Sequence, residues 1–176
     1  SGKSVLLRAV LGLVPRVAGE IRWNGAILDE PSMLMVPPRV AYVPQVPRLF
    51  SERLADTVLL GVDDLGLDRA LTLACLDEDL NDLPDGIATM VGPKGVRLSG
   101  GQIQRAAAAR ALVREPELLV VDDLSSALDV VTESRLWGGL FDAAAGSVTV
   151  LAVSHRPNVL ERADQVIRLD RGRRLA

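Results

Sequence analysis

The chain has 176 residues and a net charge of −3, with 48% apolar and 24% charged residues. This composition is globular and long enough for a real core, which excludes a disordered segment; the acidic balance argues against a nucleic-acid partner, which needs a basic face. The lone Cys75 excludes a disulfide framework or a cysteine zinc site, and no apolar run reaches the ~18–20 residues needed to cross a bilayer.

The first four residues, Ser1-Gly2-Lys3-Ser4, match the tail of the phosphate-loop pattern G-x-x-x-x-G-K-[ST] and precede an apolar run over 5–14 that is predicted helical. A lysine and a hydroxyl at a helix start suit the β/γ-phosphates of a nucleotide and a Mg²⁺ ion. An ordinary polar helix start accounts for the same residues. The upstream glycines of the pattern do not precede them and no signal peptide opens the chain, so the sequence reads as a piece of a longer one. Residues 20–29 are predicted to form a hairpin turning at Asn24-Gly25, with Trp23 in its core. A short strand over 39–43 runs into Pro44-Gln45-Val46-Pro47, a stiff loop that holds a polar side chain just past a strand end. Gln45 reads either as a turn residue or, beside a nucleotide, as a Mg²⁺ ligand or water-orienting group. Residues 53–60, 68–76 and 77–83 are predicted helical, and Asp85-Gly86 and Gly92-Pro93-Lys94-Gly95 are turns.

The most informative stretch runs from 98 to 129: LSGGQIQRAAAARALVREPELLVVDDLSSALD. Ser99 fits a helix N-cap with Gln102 closing a capping box, and Gly100 and Gly101 leave a bare helix N-terminus of the kind that attracts phosphate. The alanine-rich helix ends before Pro116. An apolar run over 118–121 then delivers Asp122 and Asp123 at its C-terminal end, where open α/β sheets place magnesium ligands. A helix is predicted over 130–145, a buried strand over 147–154 followed by His155, and a last strand over 163–170 turning at Arg171-Gly172. The fold class is α/β. No internal repeat, low-complexity tract or flexible linker is present.

Each feature has a bland reading, but their order is hard to obtain by accident. The chain resembles the nucleotide-binding domain of an ABC transporter over essentially its whole length, and LSGGQ is that family's signature. The GKS remnant resembles its Walker A, 118–122 its Walker B, Gln45 its Q-loop, 126–129 its D-loop and His155 its switch histidine. The resemblance implies a P-loop NTPase-like, mostly parallel sheet core with a small antiparallel hairpin region and an inserted helical subdomain. Residues 1–50 and 113–176 are expected to form the core and 51–112 the helical subdomain. It implies ATP and Mg²⁺ as cofactors, with Ser1, Gly2, Lys3 and Ser4 on the phosphates. Ser4, Gln45 and Asp122 would form the metal shell, with Asp123, Gln45 and His155 as catalytic groups. Ser99, Gly100, Gly101 and Gln102 would close over the ATP held by a second such domain, identical or, in a heterodimer, different, in a head-to-tail dimer, and Asp129 would link the two sites. Transmembrane domains are the further partner, which places the chain at the cytoplasmic face of the cell membrane.

The residues 43–51 and 91–99 are exporter-like within the family, although Met90 stands where exporters usually carry glutamate. An importer ATPase is the runner-up. The larger departure is Asp123, where members that hydrolyse well usually have glutamate as general base. A carboxylate one methylene short implies retained ATP binding with weak hydrolysis at the chain's own site. A nucleotide-dependent dimerisation module is therefore the alternative to an ATPase engine.

Overall fold

A computed structural model describes residues 2–124, 127–146 and 148–175. In chain order the elements are α1 (Lys3–Val10), β1 (Arg22–Trp23), β2 (Ala26–Ile27), α2 (Pro31–Leu34), β3 (Val40–Val43), α3 (Leu54–Leu59) and α4 (Leu67–Leu73). They continue with α5 (Gly100–Leu112), β4 (Leu118–Asp122), α6 (Val130–Gly146), β5 (Thr149–Val153), α7 (Pro157–Glu161), β6 (Leu169–Asp170) and β7 (Arg173–Arg174). The fold is α/β, with a parallel sheet, small antiparallel hairpins and packed helices.

The sheet has the order β3-β4-β5, and both pairings are parallel. Parallel strands need covered faces, and successive side chains must point to opposite sides. Val40, Leu118 and Val120 lie on one face with Leu7 of α1 and Leu11 just after it. Ala41, Val43, Leu119 and Val121 lie on the other, in a core that runs without a break through the alanines of α5 to Leu54, Val58 and Leu71 of α3 and α4. Alanine is what lets α5 sit centrally, because its small side chain allows helices and sheet to approach from several sides at once.

The β1–β2 hairpin forms as the sequence predicts, with Asn24 and Gly25 at φ 47 and 85 and Trp23 packed against the smaller core. The helical segment predicted over 77–83 forms as a 3₁₀ helix over 78–82. Two expectations need correction. The strand after α6 is only half-buried, because it is an edge strand with β4 on one side and no described strand on the other. The last strand is two residues long rather than eight, and pairs only with β7 across the Arg171-Gly172 turn. Val166 and Ile167, 45% and 51% exposed, find no sheet to join among the described residues.

Candidate functional site

Parallel pairing puts the C-terminal ends of all three strands at one edge. Val43 is level with Val121, and Asp122 with Val153. The loops beginning at Pro44, Asp123 and Ser154 therefore leave the sheet side by side, the place where open α/β sheets bind ligands. A shallow recess lined by Met33, Pro38, Arg39 and Glu117 lies at the opposite edge, away from these groups.

Asp122 ends β4 and is 1% exposed. A carboxylate this deep needs polar partners. Two hydroxyls meet it: Ser4 Oγ donates to Oδ1 at 2.9 Å, and the Tyr42 hydroxyl donates to Oδ2 at 3.4 Å. Burial first, and then the charge of Asp122 against the opposing pull of Arg8, keep the Tyr42 phenol above its ordinary pKa, so it stays a donor. Ser4 belongs to the first turn of α1. That helix begins at Gly2, at φ 88, with no side-chain cap and no acidic residue in its first turn. A Cβ at Gly2 would also lie 3.3 Å from the backbone of Gly172. The helix N-terminus thus carries no side-chain cap and no acidic residue against its positive dipole end, an arrangement that suits an anion. Lys3 is half-buried beside them.

Asp123 takes up a left-handed backbone at φ 53, which aspartate tolerates better than most residues. Its N–H donates to Val153 O at 3.0 Å, and Oδ2 accepts from Gln45 Nε2 at 3.2 Å. The structure thus brings together Ser4 with Asp122 and Gln45 with Asp123. His155 stands two residues beyond Val153, exposed at the same edge.

The stretch 99–102 is organised separately. The capping box is present: Ser99 Oγ accepts from Gln102 N at 3.2 Å, and Gln102 Oε1 accepts from Ser99 N at 2.9 Å. Gln102 Nε2 donates to Asp79 Oδ1 at 3.1 Å, so its amide is engaged at both ends. Asp79 also holds Arg105 in a largely buried ion pair of 2.6 Å. None of these bonds reaches Ser4, Gln45, Asp122 or Asp123. Ser99 and Gly100 are exposed, whereas Gly101 is buried, and a Cβ there would come within 3.1 Å of Ala127 O and Leu128. Asp129 caps α6, its Oδ1 accepting from the N–H groups of Val131 and Thr132 at 3.0 Å each. The Thr132 hydrogen bonds, first among several, hold its carboxyl below the ordinary range. Ser1 and Ser126 lie outside the described residues.

Sequence reasoning missed three groups here: Tyr42, Asp79 and Gln104. Gln104 is buried, with Nε2 donating to Gln45 O at 3.4 Å and Oε1 accepting from Ala127 N at 3.3 Å. Its side chain spans the loops that follow β3 and β4. The signal available in advance was a second glutamine in α5 on the helix's otherwise apolar face. Tyr42 was visible as the β3 residue on the same side as Val40.

A family model described as ABC transporter matches residues 1–126. The chain belongs to the ABC transporter family. It is 39% identical over 177 residues to the ABC multidrug transporter MDR2 of Trichophyton rubrum, covering 98% of this chain and 13% of that one. It is 35% identical over 175 residues to the "Probable multidrug resistance ABC transporter ATP-binding/permease protein YheI" of Bacillus subtilis, covering 98% and 30%. Among solved structures, that of a bacterial Atm1-family ABC exporter with ATP bound matches 99% of this chain and 31% of that one, at 30% identity and a TM-score of 0.89. This ABC chain thus spans under a third of the length of these relatives. No helix among its described residues is long and apolar enough to cross a membrane.

The residues present fit a magnesium–nucleotide. Magnesium is commonly held by one or two carboxylates together with substrate phosphates rather than by an all-protein cage. Asp122 with the adjacent Ser4 hydroxyl is that kind of donor set, and no group of three or more His, Cys, Asp or Glu competes among the described residues.

Proposed function

We propose that this chain is the ATP-binding and ATP-hydrolysing engine of a transmembrane exporter, with a slow site of its own and an intact signature for its partner. The observation that carries the reading is the pair of contacts at one sheet edge, Ser4 to Asp122 at 2.9 Å and Gln45 to Asp123 at 3.2 Å. Ser1, Gly2 and Lys3 cradle the β/γ-phosphates. Ser4, Asp122 and Gln45 would hold Mg²⁺, which would supply charge neutralisation at the phosphates. Asp123 takes the proton of the attacking water, Gln45 orients that water, and His155 meets the γ-phosphate. Catalysis on this plan is positioning and charge stabilisation, with little covalent work for the protein.

Ser99, Gly100, Gly101 and Gln102 close over the ATP of a second ABC domain in a head-to-tail dimer. Within that group the Ser99 hydroxyl, which accepts from Gln102 N, keeps its own O–H to donate, whereas the Gln102 amide is held in place by Ser99 and Asp79. Asp129 sits where the two sites meet, next to the partner. The helices within 51–112 form the subdomain that receives the transporter's membrane part, and 1–50 with 113–176 form the nucleotide core. The assembly works at the cytoplasmic face of the membrane. Export is favoured over import by the ATP-binding/permease relative and the exporter structure.

A second reading, a dimerisation module in which ATP binding does the work, is favoured by Asp123 alone. ATP affinity and single-turnover hydrolysis of the full-length protein, with and without its partner, separate the two. An engine hydrolyses bound ATP once its partner's signature is supplied. A binding module retains it.

A further inference from the structure

The first turn of α6 faces solvent at Val130 and Val131, which are 77% and 69% exposed, yet the Glu133 side chain is 5% exposed. A glutamate near a helix N-terminus complements the helix dipole from the surface, and that role requires no burial. A carboxylate taken out of water needs a cation to meet it. The cation is Arg156, whose Nε lies 3.0 Å from Glu133 Oε1. That oxygen has no well-aligned hydrogen bond, so charge compensation is what the contact provides.

Arg156 is the residue after His155. Its N–H donates to Ser154 Oγ at 3.1 Å, and it is the N-cap of α7, which the buried Val159 anchors in the core. The backbone on both sides of His155 is therefore held, while the ring stays exposed. The opposite end of the link is the helix capped by Asp129.

We propose that Glu133 is a positioning residue for His155: through Arg156 it fixes the loop 154–156, so that the imidazole is presented to the γ-phosphate, and couples that loop to the start of α6. This rests on the role given to His155 above. The test is single-turnover hydrolysis of radiolabelled ATP by the full-length protein, with ATP affinity and thermal unfolding measured alongside. Glu133→Gln is expected to lower the rate about tenfold with little change in ATP affinity, since a displacement of under ~1 Å suffices for such a loss. Arg156→Ala does the same, and Arg156→Lys, which keeps the charge, recovers most of the rate. In a His155→Ala background Glu133→Gln has no further effect, whereas a merely structural role lowers the rate by the same factor there. That additive result overturns the proposal, as does an unchanged rate in Glu133→Gln when His155→Ala lowers it. If His155→Ala itself changes nothing, the role of His155 fails and the proposal falls with it. Glu133→Gln leaves unpaired only the Arg156 side chain, which is 44% exposed and is rehydrated; should that variant not fold, the double variant Glu133→Gln with Arg156→Gln, which leaves neither charge unpaired, carries the same comparison.

Discussion

Asp123 is pinned from two sides. Its backbone N–H is bonded to Val153 O at 3.0 Å and its carboxylate is held by Gln45 at 3.2 Å. The carboxylate cannot advance toward a nucleotide without breaking one of these bonds. Replacement by glutamate adds one carbon–carbon bond, about 1.5 Å of reach. A misplacement of ~1 Å costs roughly a hundredfold in rate, and an intervening water recovers part of that. Asp123→Glu is therefore expected to raise hydrolysis at this site about ten- to a hundredfold, or about 1.4–2.7 kcal/mol off the barrier. The residue stands at φ 53, where glutamate is less at ease than aspartate, so stability should fall by about 1 kcal/mol. The assay is single-turnover ATP hydrolysis by the full-length protein, with nucleotide affinity measured at equilibrium. An unchanged rate at unchanged affinity refutes the reasoning, because it means that reach does not limit this site.

Ser4→Ala removes the 2.9 Å donor to a buried carboxylate and should weaken Mg²⁺-dependent ATP binding by about tenfold or more, worth at least ~1.4 kcal/mol, while Mg²⁺-free binding changes little; equilibrium titration with and without the metal checks this. Asp79→Ala leaves Arg105, 12% exposed, without its counter-charge and frees the Gln102 amide. A loss of about 3 kcal/mol is expected in urea unfolding, and loss of partner-dependent turnover should follow from the disturbed start of α5. Asp129 has a folded-state pKa below its unfolded value, so its cap is fully effective above the ordinary carboxylate pKa of ~3.9 and is lost as pH falls through the lower folded value. The difference in melting temperature between the wild type and Asp129→Ala should accordingly shrink toward zero in that acid window, and a difference independent of pH would contradict the assignment.

Much of the fold follows from local pattern. The capping box at Ser99, the alanine-rich helix, the apolar run into Asp122 and the Asn24-Gly25 turn are all encoded within a few residues of one another, and each forms. What misled was non-local. The run at 147–154 is apolar enough for a central strand, but β5 lies at an edge among the described residues, and its burial depends on what flanks it rather than on its own sequence. Likewise 163–170 has strand-like residues but no neighbour to pair with until Arg173. At the candidate site, the residues were picked out because each sits at a loop or helix start with a recognisable spacing. Their contacts were not: Ser4 and Asp122 are 118 residues apart, and Gln45 and Asp123 are 78 apart. Glu133 was the least visible, since a glutamate in a first turn looks like an ordinary surface charge until its burial is known.

Helix α5 has 13 residues, a rod of about 20 Å. Its front end carries the signature, with Ser99 and Gly100 exposed. Near its back end Arg114 donates to Leu59 O at 2.9 Å and Arg110 reaches Arg48 O at 3.5 Å, gripping α3 and the chain just beyond Gln45. A packed helix does not bend readily, so it behaves as a lever whose pivot is the alanine face against the sheet. A tilt of about 5° around the middle of such a rod moves the two ends roughly 0.9 Å in opposite senses. A displacement of that size is comparable to the ~1 Å that changes a reaction rate about a hundredfold, so a small tilt of α5 is enough to matter at Ser99.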